Sequence, residues 1–405
     1  MICLKQLGGM LLIAGTAIGA GMLALPITVG ATGPLASIII LFACFLFMLA
    51  TLFLSLEAHL CTKKSNHIMS MSKYWLGTTG ASITWISFLF LLYAASSAYL
   101  NGAGNLIATV TDQISWLHLS TKQATLIFAG LFSWAALLGT QWVDKINRWL
   151  MVGLVLSYIA LLFLLCPESV PHDFFTFRPH YIYSAIPVVI LSFTSHIMLP
   201  SLIQYYDHDI RIIKRVLIYG SMIPLVFYLI WQVMLLSCLP QHGPNSIINI
   251  MQCQNPLACL NHALYENQNQ LSGISNTCFS LFALATSFLG VLLSLTDFLT
   301  DGLKSTTKAP RSRWKIILIA LLPSLIFSIF YPNLFVSALG FAGVCVAILY
   351  GLIPVVIVWQ ARYNKPITNP SFRLPGGKTL LLIILLTAIF IISIQLLVTL
   401  DLFIK

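Results

Sequence analysis

The chain has 405 residues, of which 59% are hydrophobic and only 8% charged. Soluble domains carry roughly 25% charged residues, so this composition excludes a soluble enzyme. A nucleic-acid partner is not expected either, despite the formal net charge of +10, because the basic residues are spread along the chain between apolar runs.

Apolar runs long enough to cross ~30 Å of hydrocarbon recur from end to end. Eleven are predicted, over 6–29, 34–59, 80–108, 122–142, 148–167, 183–204, 213–237, 273–300, 314–331, 333–359 and 378–401. All are read as helices, so the expected fold class is an all-α integral membrane protein of eleven transmembrane helices. No soluble domain or long linker interrupts 1–405. Only Lys5 precedes the first run, and ten more follow, which predicts an inserted first helix and not a cleaved signal peptide.

Span 1 is the most informative element. It is apolar, yet the stretch Ala14-Gly15-Thr16-Ala17-Ile18-Gly19-Ala20-Gly21 concentrates glycine in its middle. Glycine costs about 1 kcal/mol per helix-interior position, and unpaired backbone in hydrocarbon costs several kcal/mol per group. A helix that loosens there must face protein, water or a ligand. Gly15-x-x-x-Gly19 also reads as a helix-packing motif. Span 2 carries Glu57 near its end, a titratable group if buried. On span 3, Tyr93, Ser97 and Asn101 recur every four residues on one face and are candidates to line a side-chain pocket.

Spans 4 and 5 contain no comparable polar cluster, and no lysine lies within 149–165. Span 6 is polar in its middle: Ser192-Phe193-Thr194-Ser195-His196-Ile197-Met198-Leu199-Pro200. Pro200 removes an N–H and disturbs the carbonyl four residues earlier, which predicts a kink. A histidine inside a span is costly and marks a functional hypothesis; the alternative is an interhelical hydrogen bond. A long loop, 238–272, holds Cys253 and Cys259, a possible local disulfide or two free thiols. Cys3, Cys44, Cys61, Cys166, Cys278 and Cys345 read as small apolar residues. Span 8 contains Ala283, Thr286 and Ser287, and ends in Asp297.

Eighteen of the 21 Lys and Arg fall on one set of alternate loops, leaving Lys122, Arg178 and Lys405 on the other. By the positive-inside rule the N-terminus is cytoplasmic and the C-terminus on the far side. Spans 1 and 6, both interrupted, lie five apart. Two broken spans at matching positions predict a 5+5 inverted repeat, 6–167 and 183–359, with 378–401 appended. Half-helix N-termini near Ala20 and Gly21 would hold a carboxylate, and carbonyls from Ala14 to Ile18 an ammonium or cation. A zwitterionic amino acid fits that pair of dipoles, and no charged side chain lies in either break. A channel would need a continuous polar pore, and an intramembrane enzyme a catalytic acid pair or metal cluster; neither pattern is present in the sequence.

The span 1 octapeptide resembles the unwound first helix of the leucine-transporter (LeuT-like) fold. The chain as a whole resembles bacterial aromatic amino-acid permeases, the tyrosine- and tryptophan-specific transporters. Stretches that carry this include Gly220-Ser221-Met222-Ile223-Pro224, Ala283-Leu284-Ala285-Thr286-Ser287-Phe288, Ala338-Leu339-Gly340-Phe341-Ala342-Gly343 and Trp359-Gln360-Ala361-Arg362. The resemblance implies import of an aromatic amino acid, tyrosine first, by cation symport across a bacterial inner membrane, with a periplasmic C-terminus. It implies a bundle of spans 1, 2, 6 and 7 rocking against spans 3, 4, 8 and 9, no cofactor and no enzymatic activity. Site residues it implies are Ala14, Gly15, Thr16, Gly19, Ala20 and Gly21 in break 1, with Phe193, Thr194, Ser195 and His196 in break 2; Phe193 would cover the substrate ring. The expected coupling ion is a proton, carried by His196 or Glu57. The alternative is sodium, at the Gly15, Ile18 and Ala283 carbonyls and the Thr286 and Ser287 hydroxyls. In the family, break 2 usually reads Ser-Phe-Gly-aromatic-His-Gly. Here Thr194, Ser195 and Ile197 stand at the glycine and aromatic positions, which leaves a tryptophan permease, or a sodium symporter of another neutral amino acid, as alternatives.

Overall fold

The computed structural model describes residues 4–62, 68–112, 118–165, 175–240, 243–267, 270–302, 310–331, 333, 335–364 and 371–400. Lys63, Lys64, Lys304, Lys308, Lys365, Lys405, Cys3 and Cys166 lie outside these. Among the described residues the secondary structure is helical, without strands.

In chain order, α1 (Leu4–Ala17) and α2 (Ala20–Thr28) form span 1, joined through Ile18 and Gly19 at a bend of 56°. A short 3-10 turn, Gly30–Thr32, leads to Gly33, whose φ of 109° only glycine adopts readily. A Cβ on Gly33 would also meet the Thr176 carbonyl oxygen, so the loop before span 6 is packed onto this corner. Pro34 then opens α3 (Pro34–Leu60) at a position where its missing N–H costs nothing. The next helix, α4 (Ile68–Asp112), includes a surface turn that meets span 3 at a kink at Gly77, with φ 70°.

α5 (Thr121–Leu137) starts at a Ser120–Gln123 capping box. It ends five residues short of the expected 142, because Gly139 (φ 109°) turns the chain and α6 (Thr140–Leu164) begins eight residues before the expected 148. Span 6 is α7 (Ile182–Ser192), an irregular Phe193–Ser195, a 3-10 turn His196–Met198, and α8 (Leu199–Tyr205). Pro200 therefore does not kink a helix. It starts one, in the first turn of α8, where its absent N–H is an orphan anyway; the break lies before it, at 193–195.

α9 (Ile210–Cys238) is capped by Asp209. The long loop folds into α10 (Ile247–Gln252) and α11 (Pro256–Asn267), with Cys253 and Cys259 disulfide-bonded between and within them. Then follow α12 (Gln270–Gly302), α13 (Pro310–Phe330), α14 (Phe335–Val346), a π-helical stretch Ala347–Leu352, α15 (Ile353–Trp359), a second π stretch Gln360–Asn364, and α16 (Gly377–Thr399).

Eight helical segments among the described residues are long and apolar enough to cross a membrane, counting 179–205 as one, and the bent α1–α2 pair makes a ninth. Outward-facing side chains fit lipid: Phe163 is 82% exposed, Trp149 78% and Leu386 63%. α2 packs on α7 and α9, while α12 lies against α6 and α4, and α14 against α4 and α7. The two interrupted spans thus meet inside the bundle.

Candidate functional site

The first break is short. The Ile18 N–H still donates to Ala14 O, 2.8 Å, and Gly19 is the extended residue from which α2 starts. The first amides of a helix lack intrahelical acceptors. Here Ala20 N–H donates to Ser287 Oγ of α12, 2.9 Å, and Met22 N–H to Gly19 O, 3.0 Å. The space admits nothing larger than glycine: a Cβ on Gly19 would lie 2.4 Å from Ser287 Oγ, and one on Gly21 2.7 Å from Ser192 Oγ. Gly21 at the start of α2 therefore abuts Ser192 at the end of α7, so the ends of the two interrupted spans touch.

Sequence reasoning missed the residue that joins them. The Tyr228 hydroxyl of α9 lies 2.7 Å from Ala17 O, the last carbonyl of α1, and 2.8 Å from Ser192 O, the last carbonyl of α7. Its ring is fully buried against Phe193, centroids 5.1 Å apart, and Phe193 meets Phe45 at 5.8 Å. Tyr228 sits in an otherwise ordinary amphipathic helix, and only its position, one span after the second break, set it apart.

His196 is buried in the second break. Its Nε2 lies 3.0 Å from Thr51 Oγ1, and its ring stacks on Tyr350, which belongs to the first π stretch, at 4.5 Å. Thr51 already donates its one proton to Met48 O, 2.9 Å. The His196–Thr51 contact is then served by Nε2–H donating, which leaves the Nδ1 lone pair; Nδ1 has no hydrogen-bond partner. Neither Thr51 nor Tyr350 stood out in the sequence.

Two adjoining cavities flank the breaks. One, about 440 Å³, is lined by Gly15, Thr16, Ile18, Tyr99, Asn147, Thr286 and Ser287 among others. Asn147 Oδ1 has no partner there. The other, about 530 Å³, is lined by His196, Ile197, Pro200, Ser294, Asp297, Tyr350 and the rings of Trp85, Phe88 and Phe298. Ile197 and Ser294 border both.

Several expected site groups are otherwise engaged. The Thr16 hydroxyl donates to Leu12 O, Thr194 to Ile190 O and Thr286 to Ala283 O, each within its own helix. Ser195 is buried beside His196. Tyr93, Ser97 and Asn101 do share a face of α4, but that face does not turn to the breaks. Tyr93 O–H donates to Ile319 O and Asn101 Nδ2 to Tyr331 O, on and just beyond α13, and Ser97 O–H back to Tyr93 O. The adjacent face, through Leu92 and Tyr99, lines the cavity instead.

Glu57 is buried, as a coupling role would need, yet it is held on all sides. Arg362 Nε donates to Oε1 at 2.7 Å and Nη2 to Oε2, while Leu374 N–H donates to Oε2 at 2.8 Å. A bidentate guanidinium fixes geometry as well as charge. This pair staples α3 to the second π stretch and to the loop before α16, and so corrects the expectation of a mobile proton carrier.

The family model described as the tryptophan/tyrosine permease family matches residues 4–395. The chain is 30% identical to tyrosine-specific transport system 2 of Haemophilus influenzae over 97% of both chains. It is 31% identical to tyrosine-specific transport system 1 of the same organism over 96% of both. A tryptophan-specific transport protein, also from Haemophilus influenzae, is 29% identical over 95% of this chain and 93% of its own.

Proposed function

The chain belongs to the tryptophan/tyrosine permease family, and on that premise we propose that it imports an aromatic amino acid, tyrosine first, by proton-coupled symport. Its family and relatives are transport proteins, not enzymes, and the chain is a multi-pass membrane protein. The observation that carries the proposal is the meeting of two interrupted spans, with Gly21 at the start of one half-helix against Ser192 at the end of another.

In this reading the carboxylate of the substrate takes the start of α2 at Gly21, displacing Ser287 Oγ from Ala20 N–H. The ammonium takes the carbonyl ends of α1 and α7, the negative ends of their dipoles. The ring lies on the Phe193 side. The nine segments of sufficient length, together with the shorter α5 and α13, make eleven spans in one transporter domain. The α1–α2 and α7–α8 interruptions, five spans apart, support the inverted repeat. The basic loops place the N-terminus in the cytoplasm of a bacterial cell and the C-terminus in the periplasm.

A proton is favoured over sodium because the hydroxyls of Thr286 and Ser287 are already engaged by Ala283 O and Ala20 N–H. The unpartnered Nδ1 of His196 supplies a titratable acceptor at the break itself.

The test is uptake of labelled tyrosine into liposomes containing the purified protein, with proton and sodium gradients imposed separately. Unlabelled tryptophan, phenylalanine and leucine serve as competitors. Proton-driven uptake blocked best by tyrosine is expected. Sodium-driven uptake, or competition by leucine in place of the aromatic acids, overturns the reading.

A further inference from the structure

Two carbonyls from different half-helices converge on one hydroxyl. Ala17 O and Ser192 O lie 2.7 and 2.8 Å from the Tyr228 oxygen. A hydroxyl carries a single proton, so it serves one of these acceptors fully and leaves the other short. Both carbonyls end α-helices, both residues are buried, and the surrounding groups are apolar rings, Phe193 and Phe45. Buried acceptors at two negative dipole ends call for a donor with more than one N–H and a positive charge.

We infer that Tyr228 is a place-holder for the substrate's α-ammonium, holding the Ala17 and Ser192 carbonyls together until that group arrives and takes both. The inference rests on the reading of the substrate as an amino acid, and adds to it a residue that sets the binding equilibrium. A primary ammonium offers three N–H donors and so satisfies both carbonyls, which the phenol does only in alternation. Binding then exchanges one donor for another, and part of the gain from the ammonium is offset by the hydroxyl it displaces.

Tyr228→Phe keeps the ring packing on Phe193 and deletes only the oxygen. The substrate-free carrier loses its donor to the two carbonyls, whereas the substrate-bound carrier does not need it. The expected result, in purified protein, is about tenfold tighter binding of L-tyrosine, the scale of one lost buried hydrogen bond. The maximal uptake rate should fall, since the unloaded carrier must return with both carbonyls unserved. The dissociation constant of 3-(4-hydroxyphenyl)propionate, which lacks the amino group, should stay the same. A structural role alone would loosen both ligands or neither. Unchanged or weaker L-tyrosine binding overturns the inference, as does equal tightening for the des-amino acid.

A second measurement stands if that variant does not fold. With 3-fluorotyrosine installed at position 228, the fluorine resonance should move on adding L-tyrosine and not on adding the des-amino acid. A resonance that moves for neither, or for both alike, overturns the inference. A resonance that moves for leucine or glutamine but not for tyrosine or tryptophan keeps the place-holder role and removes the aromatic substrate.

Discussion

Gly21→Ala tests the contact on which the site is built. The added Cβ would stand 2.7 Å from Ser192 Oγ and 3.3 Å from Ser192 Cα. The first of these is resolved by turning the hydroxyl away, which breaks its 2.9 Å bond to Val188 O, a loss of about 1 kcal/mol. The second is backbone against backbone and requires α2 and α7 to part by a few tenths of an ångström; overpacking of this kind costs about 1–3 kcal/mol. Alanine returns up to about 1 kcal/mol through its better helix propensity. The net penalty, about 1–3 kcal/mol, falls on the arrangement in which the two half-helices touch. In a carrier that alternates between arrangements, such a bias shifts the balance by about 5- to 150-fold. The variant should therefore insert and purify normally while liposome uptake drops at least about tenfold, and Gly21→Val should lose uptake altogether. Adding Ser192→Gly removes the opposing Cβ and hydroxyl, and the double variant should recover to within about threefold of the wild type. Wild-type uptake by Gly21→Ala, or a double variant no better than the single one while both run as monodisperse protein, refutes the reasoning.

Three further expectations follow from contacts described above. Breaking the buried Glu57–Arg362 pair with Arg362→Leu should destabilise the protein by about 3–5 kcal/mol, whereas Glu57→Leu with Arg362→Leu should come closer to neutral; thermal unfolding in detergent separates the two, and equal losses would refute a paired charge. His196→Gln should abolish accumulation driven by a pH gradient yet leave tyrosine counterflow, which needs no net proton movement; loss of both would make His196 a substrate or packing residue. Tyr93→Phe should change the uptake KM less than about twofold, because the phenol serves Ile319 O and not the breaks; a tenfold change would return the Tyr93 face to the binding site.

Much of this was legible in the residue string, and for definable reasons. The glycines of 15–21 are conspicuous because hydrocarbon forbids loose backbone, so both the position of the first break and its tight surroundings could be read directly. The second break was located in the right segment but through the wrong residue. Pro200 disrupts a helix only from its interior, and the chain places it in a first turn, where it promotes one. The Tyr93, Ser97 and Asn101 face was correctly periodic. Periodicity fixes which residues share a face, however, and not the rotation of the helix about its axis, which here is set by packing against α13. Tyr228, Thr51 and Tyr350 act through atoms that converge from distant spans, with no local pattern to announce them. Glu57 shows the converse: a buried carboxylate inside a span signals importance, but its guanidinium partner lies 305 residues away, and that partner turns a proton carrier into a staple.

The π-helical stretch Ala347–Leu352 has a bearing on how this chain tolerates change in length. A π turn accommodates one residue more than an α turn. Deleting a single residue there would restore α geometry and rotate everything downstream by about 100°. Tyr350 lies within the stretch, against His196, and Arg362 lies beyond it, against Glu57. The number of residues between these two anchor points is therefore metered: one end is tied to the second break and the other to the end of α3. Gaps and insertions that surface loops absorb without consequence would, in this helix, uncouple one anchor from the other.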